Sequence, residues 1–88
     1  MKTETRQADD FPHLHHVKVI GQHADLLGAV REAVEPHAPD LPESAFALRA
    51  SSQGQYLSVT ISLEIQNEAQ LLNIYTAVKA VDGVILCL

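Results

Sequence analysis

Beyond Phe11-Pro12 the spacing of apolar and polar side chains changes from block to block, and each change predicts a change of element. His15-His16-Val17-Lys18-Val19-Ile20-Gly21 is short, rich in β-branched residues and closed by glycine, which predicts a first strand. From Asp25, a residue type that caps helix starts, Leu26, Leu27, Val30, Ala33 and Val34 share one helical face. Pro36 lacks an amide hydrogen and clashes with the carbonyl four residues back, so this helix stops near Glu35. Pro36 to Glu43 holds three of the four prolines and reads as a loop. Ser44 to Ala50 predicts a second strand, with Phe46 and Leu48 on one side, and Ser51-Ser52-Gln53-Gly54 turns the chain because Gly54 accepts a positive φ. The third strand is the plainest: Leu57, Val59, Ile61 and Leu63 point one way, Tyr56, Ser58, Thr60 and Ser62 the other. Asn67 with Gln70 is a capping-box pair, ahead of the helical stripe Leu71, Ile74, Tyr75, Val78 and Val81. Asp82-Gly83 ends that helix, and Val84 to Leu88 predicts a fourth strand.

Strand, helix, strand, strand, helix, strand is the split βαβ order of the α+β ferredoxin-like folds. Right-handed crossovers and the single apolar face of the third strand put both helices on one face of a four-stranded antiparallel sheet ordered 4-1-3-2, leaving Tyr56, Ser58 and Thr60 on the open side. The core expected from this arrangement is Val17, Val19, Leu27, Val30, Val34, Phe46, Leu48, Leu57, Val59, Ile61, Leu71, Ile74, Val78, Val84 and Leu86. The second and fourth strands are edges, and the fourth is apolar throughout, so it is expected to pair with or pack on something, in the first instance a second copy of the chain. Lys2 to Asp10 has Ala8 as its one apolar side chain, and residues 1–10 are therefore expected to form a flexible tail ahead of a single domain spanning 11–88.

Composition narrows the function more than the fold. An 88-residue chain has room for one core. Six Lys and Arg against eleven Asp and Glu give a net charge of -5, which offers a nucleic acid no long-range attraction. No apolar run is long enough to cross a bilayer, and the first ten residues lack the apolar centre of a signal peptide, so a cytoplasmic protein with no membrane partner is expected. Cys87 is the one cysteine and cannot form an internal disulfide.

Candidate chemistry is sparse. His13-x-His15 puts two imidazoles on one side of a strand, a spacing that can chelate zinc or copper, yet His23 and Cys87 complete no second ligand pair. No metal or cofactor is expected, and His13, His15, His16 and His37 read as titratable surface. Cys87 has no neighbouring base and reads as a buried or half-buried strand residue, not a nucleophile. Ser51, Ser52 and Gly54 could hold an anion in a nest of amides, but serine and glycine are ordinary turn residues. An RNA-recognition sheet would need two or three aromatics where this chain offers Tyr56 beside Ser58 and Thr60. An acylphosphatase would need an arginine in the loop after the first strand, and Gly21-Gln22-His23-Ala24-Asp25 has none.

Four strings resemble the YbeD-like family of small, uncharacterised bacterial proteins: F-P at Phe11-Pro12, K-V-I-G-Q at Lys18 to Gln22, H-A-P at His37 to Pro39 and, the most specific, S-S-Q-G-Q-Y-L-S-V at Ser51 to Val59. The resemblance implies a ferredoxin-like fold similar to ACT-type regulatory domains, no enzymatic activity and, through gene neighbourhood, a link to lipoate metabolism. A-D-L-L-G-A-V at Ala24 to Val30 resembles the start of the first ACT helix, with Asp25 where ACT loops usually carry glycine. An aspartate there complements the helix dipole and repels a ligand carboxylate, which favours capping. Two functions follow as expectations. One is a dimeric regulatory domain that takes a small-molecule effector at Gly21, Gln22, His23 and Asp25 and signals to a partner enzyme. The other is a ligand-free adaptor acting through Ser51, Ser52, Gly54, Tyr56, Ser58 and Thr60 or through the last strand.

Overall fold

Residues 11–88 are described by the structure, a computed structural model; the tail expected over residues 1–10 lies outside the described residues. Alternating blocks become strands β1 (His13–Gly21), β2 (Phe46–Ala50), β3 (Leu57–Ile65) and β4 (Val84–Cys87), and the helical stripes become α1 (Leu26–Val34) and α2 (Glu68–Lys79). The sheet runs β2-β3-β1-β4 with all neighbours antiparallel, the expected ferredoxin-like order read from the other edge.

Local chemistry sets the helix limits. The Asp25 side chain accepts a hydrogen bond from the Gly28 amide at 3.1 Å, closing the first turn of α1. Asn67 does the same for Gln70, while the Gln70 side chain reaches back to the Gln66 amide at 2.8 Å. Gly83 takes φ +86° in the turn between α2 and β4, a conformation that side-chain-bearing residues resist.

Both helices cover the face carrying Val17 and Val19 of β1 and Val59, Ile61, Leu63 and Ile65 of β3, against which Leu26, Val30, Val34, Ile74 and Val78 are buried. Each such fully buried aliphatic side chain contributes ~1.5–3 kcal/mol relative to exposure.

Several readings from the sequence need correction. β1 begins at His13 and not His15, and β3 continues to Ile65, which is fully buried. Ser44 lies in a 3₁₀ turn, Glu43–Ala45, so β2 starts at Phe46. Leu26 is the buried member of the Leu26-Leu27 pair. Leu48 and Leu86 are 49% and 47% exposed, not core. Leu48 sits on the β2 edge, outside the cluster the helices cover. A register shift between Ile20 and Gly21 sets Cys87 opposite Val19 and Leu86 opposite Ile20, so Cys87 packs on the core and Leu86 turns to the open face. Phe46, Leu57, Leu71 and Val84 are half-buried at the core margin.

Candidate functional site

Four places hold the side chains with binding or reactive chemistry. At the end of β1, Gly21 is buried, and a Cβ there would lie 2.6 Å from the Gly83 carbonyl oxygen, which also accepts a hydrogen bond from the Gln22 amide at 2.9 Å. The Asp25 amide donates to His23 Nδ1 at 2.9 Å, and the Asp25 carboxylate occupies the Gly28 amide. Gly21, Gln22, His23 and Asp25 therefore do come together, but several of their amides serve the fold itself. Two open hollows of about 320 and 450 Å³ meet at His23, with Asp25, Glu32 and Asp82 on their walls. Their charge favours a cationic guest over a carboxylate.

At the β2–β3 hairpin, the Ser51 amide donates to the Tyr56 carbonyl at 2.9 Å, the Tyr56 amide to Ser51 Oγ at 3.2 Å and the Gly54 amide to the Ser51 carbonyl at 2.9 Å. Gly54 has φ +74° with open space around it. Ser51 and Gly54 thus close the turn and set Tyr56 at its base, next to Ser58 and Thr60 on the strand.

A third group forms on the helix side of β1. His13 Nε2 lies 3.1 Å from His15 Nδ1, His15 Nε2 lies 3.4 Å from the Tyr75 hydroxyl, and that hydroxyl donates to the Leu88 carbonyl at 3.0 Å. A carbonyl only accepts, so the chain of bonds assigns the Nε2 proton to neutral His15 and leaves its Nδ1 to accept from His13. Burial, helped by the charges of His13 and His16, holds His15 below the usual histidine pKa. Among the described residues no third His, Cys, Asp or Glu joins the pair in a metal-ligand group. His16 instead faces Ser62 across the strands at 2.8 Å. Cys87 is half-buried, and burial pushes its thiol pKa up against the opposing pull of Lys79, the reverse of what a nucleophilic thiolate needs.

The fourth place is the open sheet face, where register aligns side chains in rows. Arg49, Ser58, Ile20 and Leu86 form one row across β2, β3, β1 and β4, and Ala47, Thr60, Lys18 and Leu88 the next. A hollow of about 310 Å³ lies on the β2 side of these rows, bounded by Lys18, Ile20, Arg49, Tyr56, Leu57 and Ser58 among others. Leu86 and Leu88 lie exposed on the β4 side. Lys18 and Arg49 are absent from the site read in the sequence. The signal was present, since both stand at outward positions of period-two strands, but their proximity depends on β1 and β2 flanking the same strand.

Comparison with known proteins agrees with this architecture. A family described as "Protein of unknown function (DUF493)" matches residues 7–88. A UPF0250 protein of Neisseria gonorrhoeae is 39% identical over 72 residues, covering 81% of this chain and 79% of the relative. One from Shewanella putrefaciens is 33% identical over 85 residues, covering 96% and 94%. Among solved structures, protein HP0495 from H. pylori superposes with a TM-score of 0.69 at 25% identity, covering 89% of this chain and 82% of that one. With the matched residues running through every strand and both helices, the chain belongs to the DUF493 family, the small α+β bacterial proteins also called UPF0250 or YbeD-like.

Proposed function

We propose that the protein is a non-enzymatic regulatory module that works by contact, self-associating through the edge strand β4. The observation that carries this reading is the apolar β4 margin: Ile85, Leu86 and the adjoining Leu88 are 57%, 47% and 60% exposed, and the outer backbone edge of β4 has no partner strand among the described residues. A second copy laid antiparallel along β4 would pair those backbone groups and cover the leucines, as edge strands often do when they are not protected by charge or proline. Side-by-side sheets of this kind suit an ACT-like module that passes a state to a partner enzyme. The chemistry available is consistent with binding and not turnover, since the cysteine is held as a thiol and His13, His15 and His16 bond to one another, to Tyr75 or to Ser62.

Sedimentation velocity from micromolar to near-millimolar protein tests this. The expected result is a dimer whose dissociation constant rises at least tenfold in Leu86→Asp, with an unchanged circular dichroism spectrum. A monomer across the whole range would overturn it. A second reading, an effector site at Gly21 to Asp25, is favoured by the paired hollows at His23, and their acidic walls would select an amine or neutral metabolite over lipoate.

A further inference from the structure

Cations are scarce in this chain, six Lys and Arg against eleven acids, and their placement is uneven. Among residues 11–88 the four are Lys18, Arg31, Arg49 and Lys79. Arg31 is 3.6 Å from Glu43 and lies 5.5 Å above the Phe46 ring. Lys18 and Arg49 make no ion pair or side-chain hydrogen bond with any described residue, and both border the same hollow on the open sheet face. Of the acids in the described residues, Glu64 alone lies on a strand. It is opposite Leu14, six residues along β3 from Ser58, or about 20 Å at strand rise.

The distance between the two cations follows from the register. Arg49 is paired with Ser58 and Lys18 with Thr60, with β3 between them, so their Cα atoms are separated by two strand spacings and one repeat of the pleat, about 12 Å. Across that span, side chains as long as lysine and arginine can reach one anionic group from its two sides, and both border the hollow. On the open face the apolar and aromatic part of the lining is Ile20 and Tyr56, the latter fixed by the hairpin bonds to Ser51, and Ser51 and Ser58 also border the hollow. At about 310 Å³ the space is at the small end of ligand sites and far too small to read a polymer.

We propose that this hollow binds a small organic acid with an apolar body, its carboxylate held between the Arg49 guanidinium and the Lys18 ammonium and its hydrocarbon part laid on Ile20 and Tyr56. The planar fork of arginine fits a carboxylate through two parallel N–H bonds, and the ammonium adds a point charge from the other side. The net charge of -5 opposes polyanions, which feel the whole molecule, more than a single carboxylate, which feels its nearest partners within a Debye length of about 8 Å. The site is on the β2 half of the sheet and needs nothing from the contact proposed for β4.

The experiment is an amide NMR titration of the full chain with four probes at fixed pH and salt: hexanoate, acetate, inorganic phosphate and hexylamine. Hexanoate is expected to give saturable shifts centred on Lys18, Ile20, Arg49 and Tyr56. Acetate should bind at least tenfold more weakly at the same residues, and hexylamine should leave them unmoved. Lys18→Met and Arg49→Met, both at solvent-exposed positions, should each weaken hexanoate at least fivefold with the remaining spectrum intact. No saturable shift, shifts centred on another surface, equal response to hexylamine, or full affinity in the Lys18→Met/Arg49→Met double variant would each overturn the proposal. Inorganic phosphate binding more tightly than hexanoate would also overturn it, since the apolar floor would then contribute nothing.

Discussion

His15 is the residue whose ionisation the fold changes most legibly. Burial first, and then the neighbouring charges of His13 and His16, lower its pKa, and its ring is bonded on both nitrogens as the neutral form. The unfolded chain takes up this proton at a higher pH than the folded one does. The stability His15 contributes is therefore complete above the ordinary histidine value of about 6.5 and is lost as the pH falls through it toward the lowered folded value. Urea unfolding about one unit above and one unit below that value should show a lower midpoint on the acid side, and His15→Asn should shrink the difference. An equal difference in wild type and variant would show that other groups carry it. This interaction was only half visible in the sequence: the two-residue spacing puts His13 and His15 on one side, but Tyr75 enters from sixty residues away.

Among the elements, the junction of β1, the following loop and the turn before β4 is the most tightly constrained. Gly21 and Gly83 meet there, one with no space for a Cβ and the other with a backbone that disfavours one. Gly21→Ala should destabilise the protein by ~1–3 kcal/mol through overpacking against the Gly83 carbonyl, read as a lower thermal midpoint. A midpoint within error of wild type would mean that the turn can retreat without cost. The sequence places Gly21 in a candidate effector loop, while the space beside it is taken by the chain's own turn. β3 was the most legible element, since period two over Leu57 to Leu63 has no competing helical reading. β4 was the least, because a continuous apolar run carries no period, and the register shift that turns Leu86 outward and Cys87 inward comes from β1.

For the whole molecule, the order β2-β3-β1-β4 places the strands with most neighbours in the middle and leaves the shortest two at the margins. Hydrogen exchange should be slowest at the central amides of β1 and β3 and faster in β2 and β4. Raising the protein concentration should slow β4 selectively, and uniform rates across the four strands would contradict both the layering and the edge contact. The topology itself was readable from block order, because two crossovers of fixed hand leave few alternatives. The cationic pair on the open face was not, since it depends on three strands being laid side by side.

Strand order also keeps the two margins apart. β2 touches β3, β4 touches β1, and the sheet has no strand common to both edges. If copies join along β4, the doubled sheet carries its two Arg49 rows at the far ends, seven strand spacings or about 34 Å from each other. A partner displaying two carboxylates at that span would then be gripped at both ends, and the second attachment would be favoured by local concentration alone. One that offers a single carboxylate would gain nothing from the doubling, so assembly would act as a ruler for spacing.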